Sequence, residues 1–221
     1  LNDDLIPVFE SLKSMGYDGV ELPLFNYDLD YAAWGQRLGD MGFERTAVTI
    51  RGEEDNPISS DAAVRAAGVA NTKKALDCCQ AIGATHLVGP YHSALGVFSG
   101  QGPTEDEWKW GVESMREVAE YASTAGVTLG VECLNRFEIY LLNTHADAAR
   151  FAKEVGVDSC RIMYDTFHAN IEEKSIADAI RASADVLTHV HISENDRSTP
   201  GAGNVRWDEN FATLTEVGYD G

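Results

Sequence analysis

The sequence predicts an α/β fold, specifically a (β/α)₈ TIM barrel, and three observations support this. Short apolar runs of strand length alternate with longer stretches of helical period along the 221 residues. The short runs are apolar throughout, which is typical of parallel strands covered on both faces. The segment Met-Gly-Tyr-Asp-Gly at 15–19 is followed directly by a predicted strand, and the segment Val-Gly-Tyr-Asp-Gly at 217–221 nearly repeats it. By analogy, we expect another strand after Gly221.

Six strands and seven helices are predicted in strict alternation, beginning and ending with a helix. The strands are expected at 20–24, 45–50, 86–90, 128–133, 161–164 and 188–192. The helices are expected at 3–15, 30–41, 60–82, 104–125, 144–155, 175–183 and 208–217. Thr104 and Glu107 have the spacing of a capping box, and a glycine directly follows five of the helices.

A strand is also expected before the first helix, which brings the total to eight. We therefore interpret residues 1–221 as a single (β/α)₈-barrel domain that is incomplete at both ends, with its first and last strands missing from the chain. An open doubly wound sheet is the structural alternative. Neither GxGxxG nor GxxxxGK[ST] follows any predicted strand, which disfavours the nucleotide-binding versions of that alternative.

The charge and hydrophobicity of the chain restrict the kinds of molecule that it is expected to bind. With 17 basic and 36 acidic residues the formal net charge is −19, and such a surface repels nucleic-acid phosphates. We expect no nucleic-acid partner and no membrane partner, since no apolar run reaches the length of a membrane span. The first residues lack the basic stretch of a signal peptide, and the four cysteines lack CxxC spacing. These features favour a cytoplasmic protein with buried thiols.

Three polar side chains end predicted strands, at the edge where barrel enzymes carry their catalytic groups. They are Glu132, Asp165 and His191, separated by 33 and 26 residues, about one βα repeat each. This spacing predicts that the three face one mouth at the same height. Taken singly, each acid could instead cap the next helix, and the histidine could be a core residue. Together they favour a metal site.

The chemistry of this trio indicates a divalent cation. Two carboxylates at close range repel each other, and one would take up a proton unless a cation removed the conflict. Carboxylates with a neutral imidazole suit Mn²⁺, Mg²⁺, Co²⁺ or Zn²⁺.

A second polar set surrounds the predicted metal site. It comprises Asn135, Arg136, Glu138, His168 and Arg197. A polyhydroxylated ligand requires such a ring of donors and acceptors. Ordinary loop polarity is the alternative interpretation of each residue taken alone.

Two further residues lie on predicted strands. Because strand side chains alternate, His189 points the same way as His191 but lies deeper, and we expect a hydrogen-bonded core residue there. Glu21 is either a site residue or a helix-capping acid.

Several segments of the sequence resemble one known family. They are VECLNRFEIYLLNT at 131–144, MYDTFHANIEE at 163–173, HVHISENDR at 189–197 and GYDGVELP at 16–23. The chain resembles the sugar-phosphate isomerase/epimerase family of xylose isomerase-like TIM barrels, and more narrowly D-tagatose 3-epimerase and other ketose 3-epimerases. The resemblance covers essentially the whole chain.

The resemblance implies site residues. The metal ligands would be Glu132, Asp165, His191 and a second glutamate expected on a strand beyond Gly221. Glu132 would also be catalytic, and substrate contacts would fall on three residues: Glu138, His168 and Arg197. We also expect a homo-oligomer, a dimer or a tetramer.

The implied reaction is epimerisation of a free ketose at C3 by proton transfer through a metal-stabilised enediolate. Within the family, a hydroxypyruvate isomerase, an inosose dehydratase and an aldose–ketose isomerase remain alternatives. An endonuclease IV-like phosphodiesterase would need more histidines than the six present and a basic surface. A non-catalytic sugar-binding barrel is the third class.

Overall fold

Six parallel strands form a single sheet in the computed structural model, which describes residues 1–221. Each strand pairs only with its neighbours in chain order, from β1 to β6. The strands are β1 Gly19–Pro23, β2 Glu44–Val48, β3 His86–Gly89, β4 Thr128–Glu132, β5 Cys160–Asp165 and β6 Leu187–His191.

Eight α-helices connect or flank the strands. They are α1 Ile6–Ser14, α2 Tyr31–Asp40, α3 Ala62–Ile82, α4 Glu105–Ala125, α5 His145–Val155, α6 Thr166–Glu172, α7 Ile176–Ser183 and α8 Trp207–Glu216. Short 3₁₀ turns occur at Asp3–Leu5 and Glu53–Asp55. None of the helices combines the length and apolar character needed to cross a membrane.

The predicted elements agree with this structure at the level of number and order. All six strands and all seven predicted helices are present, with ends that differ by at most three residues. The sequence analysis did not predict α6, which begins directly after β5. It has only seven residues, too few to show a helical period.

The predicted helix signals are confirmed at both ends of α4. The Thr104 hydroxyl accepts from the Glu107 backbone N–H at 3.2 Å, and the Glu107 carboxylate accepts from the Thr104 N–H at 2.7 Å. This reciprocal pair satisfies two N–H groups that a helix start leaves free. At the other end, Gly126 has the left-handed φ of 69° that closes such a helix.

The sheet curls, so that its two edge strands face each other through their side chains. Glu21 on β1 lies 2.8 Å from His191 on β6, although those strands do not pair. Six strands of the eight in a closed barrel are therefore present, and the predicted fold class, with its first and last strands missing, is confirmed. The sheet–helix interface holds the main core of 36 buried residues, among them Leu129, Val131 and Phe151.

Gly89, at the end of β3, has a φ of 120°, and a Cβ atom there would meet the carbonyl oxygen of Thr49 on the neighbouring chain segment. We expect Gly89→Ala to lower the free energy of unfolding by about 1–3 kcal/mol, because a side chain adds backbone strain and a clash. Denaturant unfolding measures this change. Gly102→Ala is the control, since nothing lies within 4 Å of its Cβ position, and an equal loss in both variants would contradict the prediction.

Candidate active site

Glu132 and Asp165 end adjacent parallel strands and lie in the same barrel mouth. Ligand atoms of Glu132, Asp165 and His168 all lie within 4.8 Å of one another. Glu132 is only 7% exposed, so its carboxylate has little contact with water. The two acids therefore share a small, poorly solvated volume, as their positions at the strand ends predicted.

The electrostatics of this pair favour a cation. Burial, followed by the negative charge of Asp165, raises the pKa of Glu132 from 4.5 to about 8. Without a counter-charge, one of the two acids would keep its proton near neutral pH. Two such carboxylates, with the His191 imidazole 3.9 Å from Asp165, suit Mn²⁺, Mg²⁺, Co²⁺ or Zn²⁺, so these residues fit the predicted divalent metal.

Asp165 has two structural roles, one for each carboxylate oxygen. Its Oδ1 accepts the backbone N–H of Phe167 at 2.7 Å and that of His168 at 3.4 Å, which caps α6. Its Oδ2 faces His191 Nδ1 at 3.9 Å. The helix cap thus fixes the carboxylate so that one oxygen stays available at the mouth.

His168 occurs in a single tautomer when it is neutral. Its Nδ1 accepts the backbone N–H of Asn135 at 3.0 Å, so the ring proton resides on Nε2. Nε2 lies 3.7 Å from a carboxylate oxygen of Glu132. Burial is the largest influence on the pKa of His168 and lowers it, which favours the neutral ring. His168 therefore offers a hydrogen-bond donor to the mouth and not a lone pair.

Glu138 and Arg197 form an ion pair beside this cluster. Arg197 donates to Glu138 Oε1 at 2.7 Å, and the Asn135 side chain donates to the same oxygen at 2.8 Å. Burial raises the pKa of Glu138, but these two hydrogen bonds outweigh it and hold the carboxylate ionised. The guanidinium also lies 4.0 Å from the centre of the Phe167 ring.

The backbone of Arg197 is in the left-handed region, with a φ of 61°. It is the one non-glycine residue with a positive φ, and such strain persists only where surrounding contacts hold the chain. Glu194, which the sequence analysis did not single out, accepts the Arg197 backbone N–H through its main-chain oxygen at 3.0 Å. Its fully buried carboxylate accepts from Trp207 Nε1 at 2.6 Å and from the backbone N–H groups of Gly201 and Val205 at 2.7 and 3.1 Å.

His191 has a carboxylate at each ring nitrogen. Nδ1 faces Asp165, and Nε2 lies 2.8 Å from Oε1 of Glu21. The other oxygen of Glu21 accepts from Thr46 at 3.0 Å and lies 3.1 Å from His189 Nε2. Burial raises the pKa of Glu21, but the hydrogen bonds from the two histidines outweigh it and lower the pKa to about 2. Glu21 is therefore an ionised acceptor in the barrel interior and caps no helix.

The structure thus arranges the predicted site residues in three contacting groups. One is Glu132, Asp165 and His168, and the second is His191 with Glu21 and His189. The predicted trio of Glu132, Asp165 and His191 is therefore divided between these two groups, which the 3.9 Å separation of Asp165 Oδ2 and His191 Nδ1 connects. The third is the Glu138–Arg197 pair. Arg136, also a candidate, lies outside them and forms a two-pronged ion pair with Glu172 on α6.

Comparison with known proteins assigns the family. Residues 9–221 match the family model described as "Xylose isomerase-like TIM barrel". The chain belongs to this family, and the predicted resemblance is confirmed.

The named relatives are sugar epimerases. The chain is 34% identical to D-psicose 3-epimerase of Agrobacterium fabrum over 97% of its length and 76% of the relative's. It is 36% identical to L-ribulose 3-epimerase of Mesorhizobium japonicum, over 94% of the chain and 70% of the relative. A solved structure of an L-ribulose 3-epimerase superposes with a TM-score of 0.94 at 32% identity, over 99% and 73% of the two chains. The prediction of an isomerase-class enzyme is confirmed.

The raised pKa of Glu132 predicts a pH dependence for protein stripped of metal. The folded state holds a proton on Glu132 up to about pH 8, whereas the unfolded chain releases it near pH 4.5. Since the folded state binds more protons in this window, we expect stability to fall as pH rises from about 4.5 to 8. Thermal unfolding across this range measures the slope. Glu132→Gln should make it shallower, and an unchanged slope would contradict the assignment.

Proposed function

We propose that this protein is a divalent-metal-dependent epimerase that inverts C3 of a free ketose. The observation that carries the proposal is the buried carboxylate of Glu132, held beside Asp165 and the donor nitrogen of His168 at the mouth of the barrel. An acid with a raised pKa at such a place is a candidate for proton transfer. The names of the relatives, D-psicose 3-epimerase and L-ribulose 3-epimerase, indicate the substrate class.

Glu132, Asp165 and Nδ1 of His191 are the groups that would hold the cation, with Mn²⁺ as the first candidate. When bound, the cation would act as a Lewis acid toward the carbonyl and hydroxyl oxygens of the sugar. The family resemblance adds a second glutamate, expected beyond Gly221, as a fourth ligand.

Glu132 would remove the proton from the carbon next to the ketose carbonyl, or return it, on one face of the substrate. Burial makes its carboxylate a stronger base than that of an exposed glutamate. Positioned acid–base catalysis of this kind contributes roughly 10²- to 10⁴-fold in rate. Inversion requires a proton donor on the opposite face, the role that the resemblance gives to the second glutamate.

Removal of that proton leaves an enediolate, whose oxygens carry the negative charge. His168 would donate its Nε2 proton to a sugar oxygen, since its Nδ1 already accepts from Asn135. Arg197 would supply positive charge near the same end of the sugar. Glu138, bonded to Arg197 at 2.7 Å, orients the guanidinium and has a second oxygen for a sugar hydroxyl.

Deuterium exchange at C3 tests the role of Glu132 in a half-reaction. The protein is incubated in D₂O with D-fructose and, separately, with its C3 epimer D-psicose, and NMR measures deuterium at C3. We expect Glu132→Gln to abolish exchange from the epimer whose C3 proton faces Glu132, because the amide cannot accept that proton. Glu117→Gln is the control, as it lies on the exposed surface of α4. Near-native exchange in Glu132→Gln would exclude the proposed base.

Removal of metal tests the cation requirement. Chelation followed by dialysis should abolish exchange and epimerisation, and added Mn²⁺ or Co²⁺ should restore both, because the developing negative charge would otherwise lack its counter-charge. Full activity of a protein shown by elemental analysis to be metal-free would refute the requirement. A parallel screen with hydroxypyruvate and inosose tests two of the three family alternatives.

A further inference from the structure

We propose that Glu21 is a positioning residue: it accepts the Nε2 proton of His191 and so leaves the Nδ1 lone pair facing Asp165 to bind the cation. This inference rests on the proposed function, since it assigns a role toward the metal of that site. Glu21 touches neither the substrate nor the cation in this scheme and acts only through His191.

The geometry at the two nitrogens of His191 supports this division. Nε2 lies 2.8 Å from Oε1 of Glu21, which is hydrogen-bond distance, and an ionised carboxylate can only accept. Nδ1 lies 3.9 Å from Oδ2 of Asp165, too far for a hydrogen bond. Two ligand atoms, each about 2.1 Å from one cation, are separated by about 3–4 Å. The 2.8 Å contact to Glu21 is therefore consistent with a hydrogen bond, and the 3.9 Å separation from Asp165 is consistent with two ligands of one cation.

The surroundings of Glu21 hold its carboxylate in this orientation. β1 directs the side chain into the barrel, where Oε2 accepts from the Thr46 hydroxyl on β2 at 3.0 Å. The same oxygen lies 3.1 Å from Nε2 of His189 on β6. With Oε2 committed to these two partners, Oε1 is available to His191. Carboxylates that bond to the far nitrogen of a metal-binding histidine commonly fix its ring and tautomer.

His168 provides the complementary case within the same mouth. Its Nδ1 accepts from the backbone of Asn135, so its proton lies on Nε2, the nitrogen nearest Glu132. His168 thus presents a donor and His191 a lone pair. The partner on the far side of each ring decides which of the two histidines is the ligand.

An alternative is a second metal site in which Glu21 is itself a ligand. Glu21, His189 and His191 have ligand atoms within 4.8 Å of one another and could hold a cation directly. His191 would then bind through Nε2, without a proton on that nitrogen, and Glu21 would itself be a ligand.

Mn²⁺ binding to the full chain distinguishes the two arrangements. Titration followed by the electron paramagnetic resonance signal of free Mn²⁺ gives affinity and stoichiometry without any activity assay. We expect one ion per chain, and Glu21→Leu should weaken its binding about 10- to 100-fold. Glu21→Gln should weaken it less, because the amide oxygen still accepts from His191. Glu117→Leu is the control, since it makes the same exchange on the exposed surface of α4, and it should bind Mn²⁺ as the parent does.

The tautomer of His191 provides a readout that does not depend on a variant's stability. Nitrogen NMR of ¹⁵N-histidine-labelled, metal-free protein at alkaline pH should show a proton on Nε2 and none on Nδ1 of His191, whose signals are identified by their loss in His191→Gln. A proton on Nδ1 overturns the proposal. Two Mn²⁺ results would also overturn it. One is a second bound ion that is lost in both Glu21→Gln and His189→Gln. The other is an unaltered Mn²⁺ affinity in a folded Glu21→Leu variant.

One further variant separates failure of this inference from failure of the proposed function. Asp165→Asn removes a proposed ligand and leaves Glu21 unchanged. If Asp165→Asn loses Mn²⁺ affinity while Glu21→Leu retains it, the positioning role is wrong and the metal site stands. If both variants bind Mn²⁺ as the parent does, the proposed metal site itself is wrong.

Discussion

Glu132 and Asp165 end neighbouring parallel strands, and the rest of the mouth depends on the repulsion between their carboxylates. Parallel strands end at one edge of the sheet, so these acids are held together whatever charge they carry. Burial raises the pKa of Glu132 to about 8 with Asp165 alongside. A proton or a cation can relieve this conflict. A protein that uses a cation gains both a Lewis acid and an ionised base, which is the arrangement that we propose.

The hydrogen bonds on the outer side of the site then decide what each group offers the mouth. Asp165 has one oxygen committed to the start of α6, and His168 has one nitrogen committed to the backbone of Asn135. His191 is bonded through Nε2 to Glu21. In each case an outer bond leaves one defined atom facing inward. The site is therefore ordered by groups that need not touch the sugar.

Much of the fold was predictable because its signals are local. Apolar runs, helical periods and glycines after helices depend on a few adjacent residues, and they predicted all six strands. The helix α6 was missed, since seven residues show no period and its N-cap, Asp165, was assigned to the metal site with helix capping only as the alternative. In the structure Asp165 has both roles, since one carboxylate oxygen caps the helix and the other faces the mouth. Glu194 also gave no signal, because its partners are mostly backbone N–H groups.

The sequence by itself determined which acids and histidines end the strands, because the apolar runs mark those ends. It also determined that they share one edge of the sheet, because a βα repeat places successive strand ends there. It also determined the family, through motifs at those strand ends. Only the tertiary structure decided which atom of each side chain faces the mouth. Glu21 and His191 are 170 positions apart and meet because the sheet curls. Curvature and side-chain orientation arise from packing across the whole barrel, and no local pattern in the sequence records them.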